Sequence, residues 1–143
     1  MNEDTLAHVD LFSTLDRKEL QVLAKSCQER TYGAGSKIFS QGDSGVGLYV
    51  VKSGKIRLTQ SNNPDRAEVE LGIVGARQVM GEMALLDDLP RSATATAVDD
   101  VDVLVLPVWE FRGVLRQHPD IALKLLAVLS RRLRKVETRQ REW

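Results

Sequence analysis

One cysteine, two histidines and 5% aromatic side chains among 143 residues exclude several chemistries at once. A lone Cys27 cannot close an internal disulfide, and its place in a helical pattern reads as a buried, inert thiol in a reducing compartment. With His8 and His118 as the only imidazoles, an iron–sulfur cluster or haem lacks its ligands. Both histidines fall outside the β-rich middle, so a histidine-lined metal barrel and a nucleophile with its base are also missing. No enzyme and no metal are expected. Twenty basic and twenty acidic residues cancel, which removes any global charge argument for a nucleic-acid coat or a membrane surface. No apolar run approaches the length of a signal h-region or a spanning helix, which points to the cytoplasm and to no membrane partner.

What is present is patterned. The length suits one domain over 1–143, divided into a helical segment at 1–35, a β-roll at 36–107 and C-terminal helices at 108–143. Asp16-Arg17-Lys18-Glu19 has the form of a capping box, and Leu20, Leu23, Ala24 and Cys27 follow at helical spacing, which predicts a helix over Asp16–Gln28. Between Lys37 and Pro107 the pattern turns to short β-rich runs: Lys37–Ser40, Leu48–Lys52, Lys55–Gln60, Glu68–Val74 and Val101–Leu106. Tight turns are expected at Gly42-Asp43, Ser53-Gly54 and Asn62-Asn63-Pro64-Asp65. Helical spacing returns at Trp109–Gln117 and again from Pro119, a residue suited to a first helical turn. The fold class is therefore mainly β: an antiparallel, jelly-roll-like β-roll flanked by an N-terminal helix and two C-terminal helices.

The chemistry concentrates at residues 80–97. Gly81-Glu82 stands nine residues ahead of Arg91, with Met83-Ala84-Leu85-Leu86 able to form one short helical turn from Glu82 to Leu86 between them. Free N–H groups at the start of that turn favour a phosphate, while Gly81 and Ala84 permit close backbone approach. Arg91, behind Pro90, can grip two phosphate oxygens with its planar fork, and Ser92 adds a hydroxyl donor. Ala93, Ala95 and Ala97 alternate with Thr94 and Thr96, which reads as a strand with a small-residue face beside a ligand. A carboxylate to accept from a ribose 2′-hydroxyl and a guanidinium for a ring phosphate suit a cyclic nucleotide. The competing reading makes Gly-Glu an ordinary turn and Arg91 a surface charge paired with Asp87 or Asp88.

This segment resembles the phosphate-binding cassette of the cyclic nucleotide-binding domain family, shared by catabolite-activator-type regulators, kinase regulatory subunits and cyclic nucleotide-gated channels. Ile38-Phe39-Ser40-Gln41-Gly42-Asp43 and Leu48-Tyr49-Val50-Val51-Lys52-Ser53-Gly54 resemble the family's first hairpins, and Leu15 to Tyr32 its entry helix. The resemblance implies ribose recognition by Glu82, phosphate recognition by Arg91 and Ser92, and backbone contacts from Gly81, Met83, Ala84 and Ala93, with cyclic AMP favoured over cyclic GMP as the ligand. Where family members often carry Pro-Gly-Asp ahead of the cassette, this chain has Ala76-Arg77-Gln78.

In the last helix, Leu126, Leu129, Leu133, Val136, Gln140 and Trp143 follow steps of three and four, a coiled-coil spacing, while Ile121, Leu125 and Val128 form a second apolar edge. One edge can cover the β-roll while the other meets a second copy in a homodimer; alternatively the whole stripe packs on its own domain. The resemblance places Val136 and Glu137 near the base, where catabolite-activator-type regulators tend to carry hydroxyl residues. Arg131, Arg132, Arg134, Lys135, Arg139 and Arg141 make this end basic, as a solvated face, an arginine lid over the purine, or a weak nucleic-acid contact. The sequence ends at Trp143 with no residues for a recognition helix, so direct DNA binding is not expected. The expected function is a regulatory module that senses a cyclic nucleotide and signals to a partner protein. The alternatives are a dimerisation module of the same fold that uses no nucleotide, or a truncated transcription regulator.

Overall fold

The protein was analysed as a computed structural model that describes residues 2–61, 67–82, 84–87 and 89–141, the side chains of Ala84 and 138–141 excepted. The expected turn at Asn62–Asp65, together with Met83, Asp88 and Trp143, lies outside the described residues.

Chain order is α1 (Asn2–Leu6), a 3-10 turn (Asp10–Phe12), α2 (Arg17–Lys25), β1 (Gln28–Tyr32), β2 (Lys37–Phe39), β3 (Gly47–Ser53), β4 (Ile56–Gln60), β5 (Val69–Val74), β6 (Val79–Met80), α3 (Ala84–Asp87), β7 (Thr94–Ala97), β8 (Val101–Pro107), α4 (Val108–Gln117) and α5 (Pro119–Arg141). Two antiparallel four-stranded sheets, ordered β1-β8-β3-β6 and β2-β7-β4-β5, pack face to face as the expected β-roll.

The helix expected over Asp16–Gln28 is shorter. Asp16 caps it as anticipated: its carboxylate accepts from Glu19 N at 2.8 Å while Glu19 Oε1 accepts from Asp16 N at 2.9 Å. The helix stops at Lys25, and Gln28 instead opens β1, paired with Val105 of β8. Ser40 leaves β2 for the turn that follows, where its N–H bonds the Asp43 carboxylate at 2.9 Å.

β3 and β8 read as nearly unbroken apolar runs because both of their faces are buried. Tyr49, Val51, Val101, Val103 and Val105 point between the sheets and meet Ile56, Ala95 and Ala97. Leu48, Val50, Leu104 and Leu106 point the other way, onto Phe12, Leu23, Phe111, Ile121 and Leu125 of the helical layer. Each such side chain contributes about 1.5–3 kcal/mol of burial, so this double-sided pair is the spine of the fold. Its closeness depends on Gly47, where a Cβ would overlap the Leu106 carbonyl oxygen.

α5 is held by the Ile121, Leu125 and Val128 edge, all at most 6% exposed. Lys124 Nζ adds an ion pair to Glu19 of α2 at 2.6 Å. Its other edge is open: Leu126 and Leu133 are each 60% exposed. Among the described residues no helix is long and apolar enough to cross a membrane, and no group of three acidic, histidine or cysteine side chains is placed to hold a metal ion. Cys27 is half-buried and donates to the Leu23 carbonyl, and burial pushes its thiol up to about 12, out of thiolate chemistry.

Candidate functional site

The segment after β6 is built around one left-handed residue. Gly81 sits at φ 76° and turns the chain toward Glu82, after which α3 occupies only Ala84–Asp87. The helical turn expected from Glu82 to Leu86 is present over Ala84–Leu86, with Met83 outside the described residues. Leu85, 1% exposed, anchors it on the helical core. The chain then returns through Pro90 and locks onto the β2 turn: Arg91 N donates to the Asp43 carbonyl, and Gly42 N donates to the Arg91 carbonyl, both at 2.8 Å. The earlier turn, Ala76-Arg77-Gln78, puts Arg77 at φ 71°, the left-handed region in which glycine is at ease and arginine is strained by about 1–2 kcal/mol. Its N–H donates to the Val51 carbonyl at 2.8 Å, which holds the turn against β3.

These segments enclose a cavity of about 490 Å³, within the usual range of small-ligand sites. Gly81, Glu82, Arg91, Ser92 and Ala93 line it, with Phe39, Leu58, Val79 and Met80 as apolar wall and Asp87, Leu89 and Pro90 at its edge. Five of the seven candidate residues therefore meet at one hollow. Met83 and the side chain of Ala84 lie outside the described residues, and the backbone of Ala84 opens α3. The small-residue face of β7 is corrected: Ala95 and Ala97 are 0% and 2% exposed in the core between the sheets, and Ala93 alone of the three lines the cavity.

Arg91 is not the surface charge of the competing reading. It is 6% exposed, and among the described residues no carboxylate pairs with it. Nη2 donates to the Gly47 carbonyl at 2.6 Å, the guanidinium carbon stands 4.4 Å from the Phe39 ring centre and 5.4 Å from that of Tyr49, and Nε is buried without a partner. Desolvation lowers its pKa, with Tyr49 and Asp43 opposing in part. A buried cation with one carbonyl partner and an orphaned donor is electrostatically incomplete. A second surface hollow, of about 670 Å³ near Gln21 and Lys25, makes the contrast: its Lys52 already pairs with Glu29 at 2.7 Å.

Glu82 is engaged from above. Arg132 of α5 donates through Nη2 to Glu82 Oε1 and to Asp10 Oδ2, each at 2.5 Å, so one guanidinium joins the cavity, α5 and the 3-10 turn. The bond to Glu82, ahead of the one to Asp10, raises its pKa. In the sequence Arg132 stands in a basic cluster, for which an arginine lid over the purine is one of the expectations. The signal was there in the spacing: Ile121, Leu125, Val128 and Arg132 follow steps of four, three and four, so Arg132 continues the buried edge. Phe39 and Tyr49 were likewise read as hairpin residues and not as parts of a site. Val136 and Glu137, expected near a base, are exposed and do not line the cavity. Ser92 is exposed at the rim, and its carbonyl accepts from Gln60 Nε2 at 2.9 Å.

Comparison with known proteins places these features in a wider group. The family model described as "Cyclic nucleotide-binding domain" matches residues 29–118. The chain is 39% identical over 127 residues to the cyclic AMP receptor protein of Thermus thermophilus, covering 89% of this chain and 58% of the relative. It is 30% identical over 133 residues to a CRP-like cAMP-activated global transcriptional regulator of Mycobacterium tuberculosis, covering 93% of this chain and 59% of the relative. The chain thus spans under two thirds of each relative's length. Among solved structures, the N-terminal domain of a transcriptional regulator from Streptomyces coelicolor superposes with a TM-score of 0.86 at 38% identity, over 93% of this chain and 94% of that one.

Proposed function

Because the chain belongs to the cyclic nucleotide-binding domain family, we propose that the cavity takes a nucleoside 3′,5′-cyclic monophosphate, cyclic AMP ahead of cyclic GMP, and that α5 passes its presence to a partner. The carrying observation is the buried, uncompensated guanidinium of Arg91, which a ring phosphate with one negative charge completes. Ser92 supplies a hydroxyl donor at the rim, and the backbones of Gly81 and Ala93 bring close walls. Glu82 accepts the ribose 2′-hydroxyl on Oε2, since Oε1 is taken by Arg132. The preference for cyclic AMP follows from the two bacterial relatives named for it.

Signalling follows from the same contacts. Glu82 lines the cavity and bonds Arg132, so a ligand hydroxyl on Glu82 changes the terms on which α5 is held. A ligand shifts the helix only by the difference in its affinity for the two arrangements. Isothermal titration with cyclic AMP, cyclic GMP and 5′-AMP tests the ligand: cyclic AMP should bind tightest and 5′-AMP weakest. At 100 times its Kd, cyclic AMP should raise stability by about 2.7 kcal/mol in a thermal melt. No heat and no thermal shift with either cyclic nucleotide at millimolar concentration would exclude this assignment.

The open edge of α5 fits a second copy of the chain. Leu126, Leu133 and Val136, exposed by 60, 60 and 49%, lie on the three-and-four spacing of a coiled-coil seam. Light scattering at micromolar concentration should give a dimer, and Leu126→Glu with Leu133→Glu should give a monomer that still binds the nucleotide. A wild-type monomer would retire the dimer.

A further inference from the structure

Among the described residues no acid pairs with Arg91, and its place is fixed by other contacts. Its aliphatic stem rises from the segment before β7, and its guanidinium lies over the ring of Phe39, at the end of β2, and near that of Tyr49, on β3. These two strands belong to different sheets, and their rings stand 5.5 Å apart with a 49° tilt. Each sheet therefore contributes one aromatic wall. Gly47 O, also on β3, takes Nη2 at 2.6 Å, and Gly81 closes the remaining side so tightly that a Cβ there would overlap Nη1. Burial raises the Tyr49 phenol's pKa, so that ring meets the cation as a neutral face. A guanidinium has two strong orienting partners, planar oxyanions and aromatic faces, and among the described residues it is the second kind that stands against Arg91.

We infer that Phe39 and Tyr49 are positioning residues for phosphate recognition: the two rings hold the Arg91 guanidinium in one orientation, so that it grips one exocyclic phosphate oxygen in preference to the other. The inference rests on the cyclic nucleotide assignment of the cavity and adds to it a reason for aromatic, not merely apolar, side chains at these two positions. Packing alone would be met by leucine. Orientation would not, since an aliphatic side chain offers the cation no electron-rich face.

The two phosphorothioate diastereomers of cyclic AMP, in which sulfur replaces one or the other exocyclic oxygen, read this orientation directly. Sulfur is larger and a poorer acceptor, so the diastereomer with sulfur at the gripped oxygen binds more weakly. Wild-type protein should separate the two by about tenfold in Kd. Phe39→Leu should weaken cyclic AMP by about tenfold, within the cation–π range, and compress the diastereomer ratio to about threefold or less. Phe39→Tyr, which keeps the ring face, should restore both. Tyr49→Leu should act as Phe39→Leu does, while Tyr49→Phe should match wild type. Melting curves on each variant confirm that the compared proteins are folded, and the two ring positions provide independent trials should one leucine variant fail to fold. An unchanged diastereomer ratio in a folded leucine variant, or wild-type binding of cyclic AMP with no preference between the diastereomers, would overturn the positioning role while leaving the ligand assignment intact. Absence of any cyclic nucleotide binding by wild type would instead remove the assignment itself.

Discussion

Arg91→Leu should weaken cyclic AMP binding by about 2 to 5 kcal/mol, the cost of removing one partner of a desolvated charge pair, or roughly thirtyfold to several-thousandfold in Kd. The same substitution should leave the ligand-free protein about as stable as wild type. Those two expectations separate a binding residue from a structural one. Among the described residues Arg91 has one carbonyl acceptor, two ring faces and a buried Nε with no partner. Leucine gives up the Gly47 hydrogen bond, worth about 1.5–3 kcal/mol for a charged donor, and the two ring faces, but also relieves the desolvation of a buried cation. The terms oppose each other and are similar in size. Titration calorimetry and urea unfolding on the same samples decide the matter. Intact affinity would disqualify Arg91 as the phosphate contact, and a large stability loss with intact affinity would make it a core residue.

Glu82 carries the other half of the site, and its setting shows how occupancy can reach α5. Among the described residues α5 is held by the buried edge of Ile121, Leu125 and Val128, by the Lys124–Glu19 ion pair and by the Arg132 bridge to Glu82 and Asp10. The first two tie it to the helical layer. The Arg132 bridge runs to the cavity wall. On the proposed assignment a ribose hydroxyl arriving at Glu82 therefore acts on the helix through Arg132, while the apolar edge sets how far the helix can move without exposing its core face. Lys124 is partly exposed and its pair with Glu19 is worth little by itself. The Arg132 pair is more enclosed and gains more from the lower local dielectric.

Much of this was legible in the sequence because it is local. Gly81-Glu82 and Pro90-Arg91-Ser92 are a short-range pattern, and the turn that joins them brings both charges to one hollow. The capping box at Asp16 and the apolar runs of β3 and β8 are local signals too. What escaped is what depends on distant partners. β1, Gln28-Glu29-Arg30-Thr31-Tyr32, is polar and largely exposed, and it becomes a strand only because β8 offers an edge far along the chain. β6 is two residues long and has no pattern to read. Ala95 and Ala97 looked like the lining of a ligand site because small residues suit one, yet small residues equally suit two sheets packed closely, and here the sheets won. Arg132 was hidden in a run of like charges, where periodicity with the buried edge was the only clue that its guanidinium turns inward.

Gly81→Ala is the substitution with the largest expected effect on both fold and binding, and its cost should depend on the residue at 91. Two penalties meet at Gly81. Its φ of 76° is a conformation that costs an L-residue about 1–2 kcal/mol. The new methyl would also stand 2.8 Å from the Gly47 carbonyl oxygen and overlap Arg91 Nη1, adding an overpacking cost of about 1–3 kcal/mol. The end of a side chain can move aside more cheaply than backbone, but Arg91 is walled by Phe39, Tyr49 and β3, so moving it breaks the hydrogen bond to Gly47 and turns the guanidinium away from its seat. Unfolding by urea should therefore show a loss of about 2–5 kcal/mol from these two terms together, and calorimetry should show loss of cyclic AMP binding beyond what the stability change explains. In an Arg91→Ala background the overlap with Nη1 disappears and only the strain and the Gly47 contact remain. The same Gly81→Ala change should then cost less than in the wild-type background, though no less than the strain of about 1–2 kcal/mol. A double-mutant cycle measures that difference as a coupling between the two positions. Equal costs in the two backgrounds would mean that Gly81 serves the turn alone and does nothing to place Arg91.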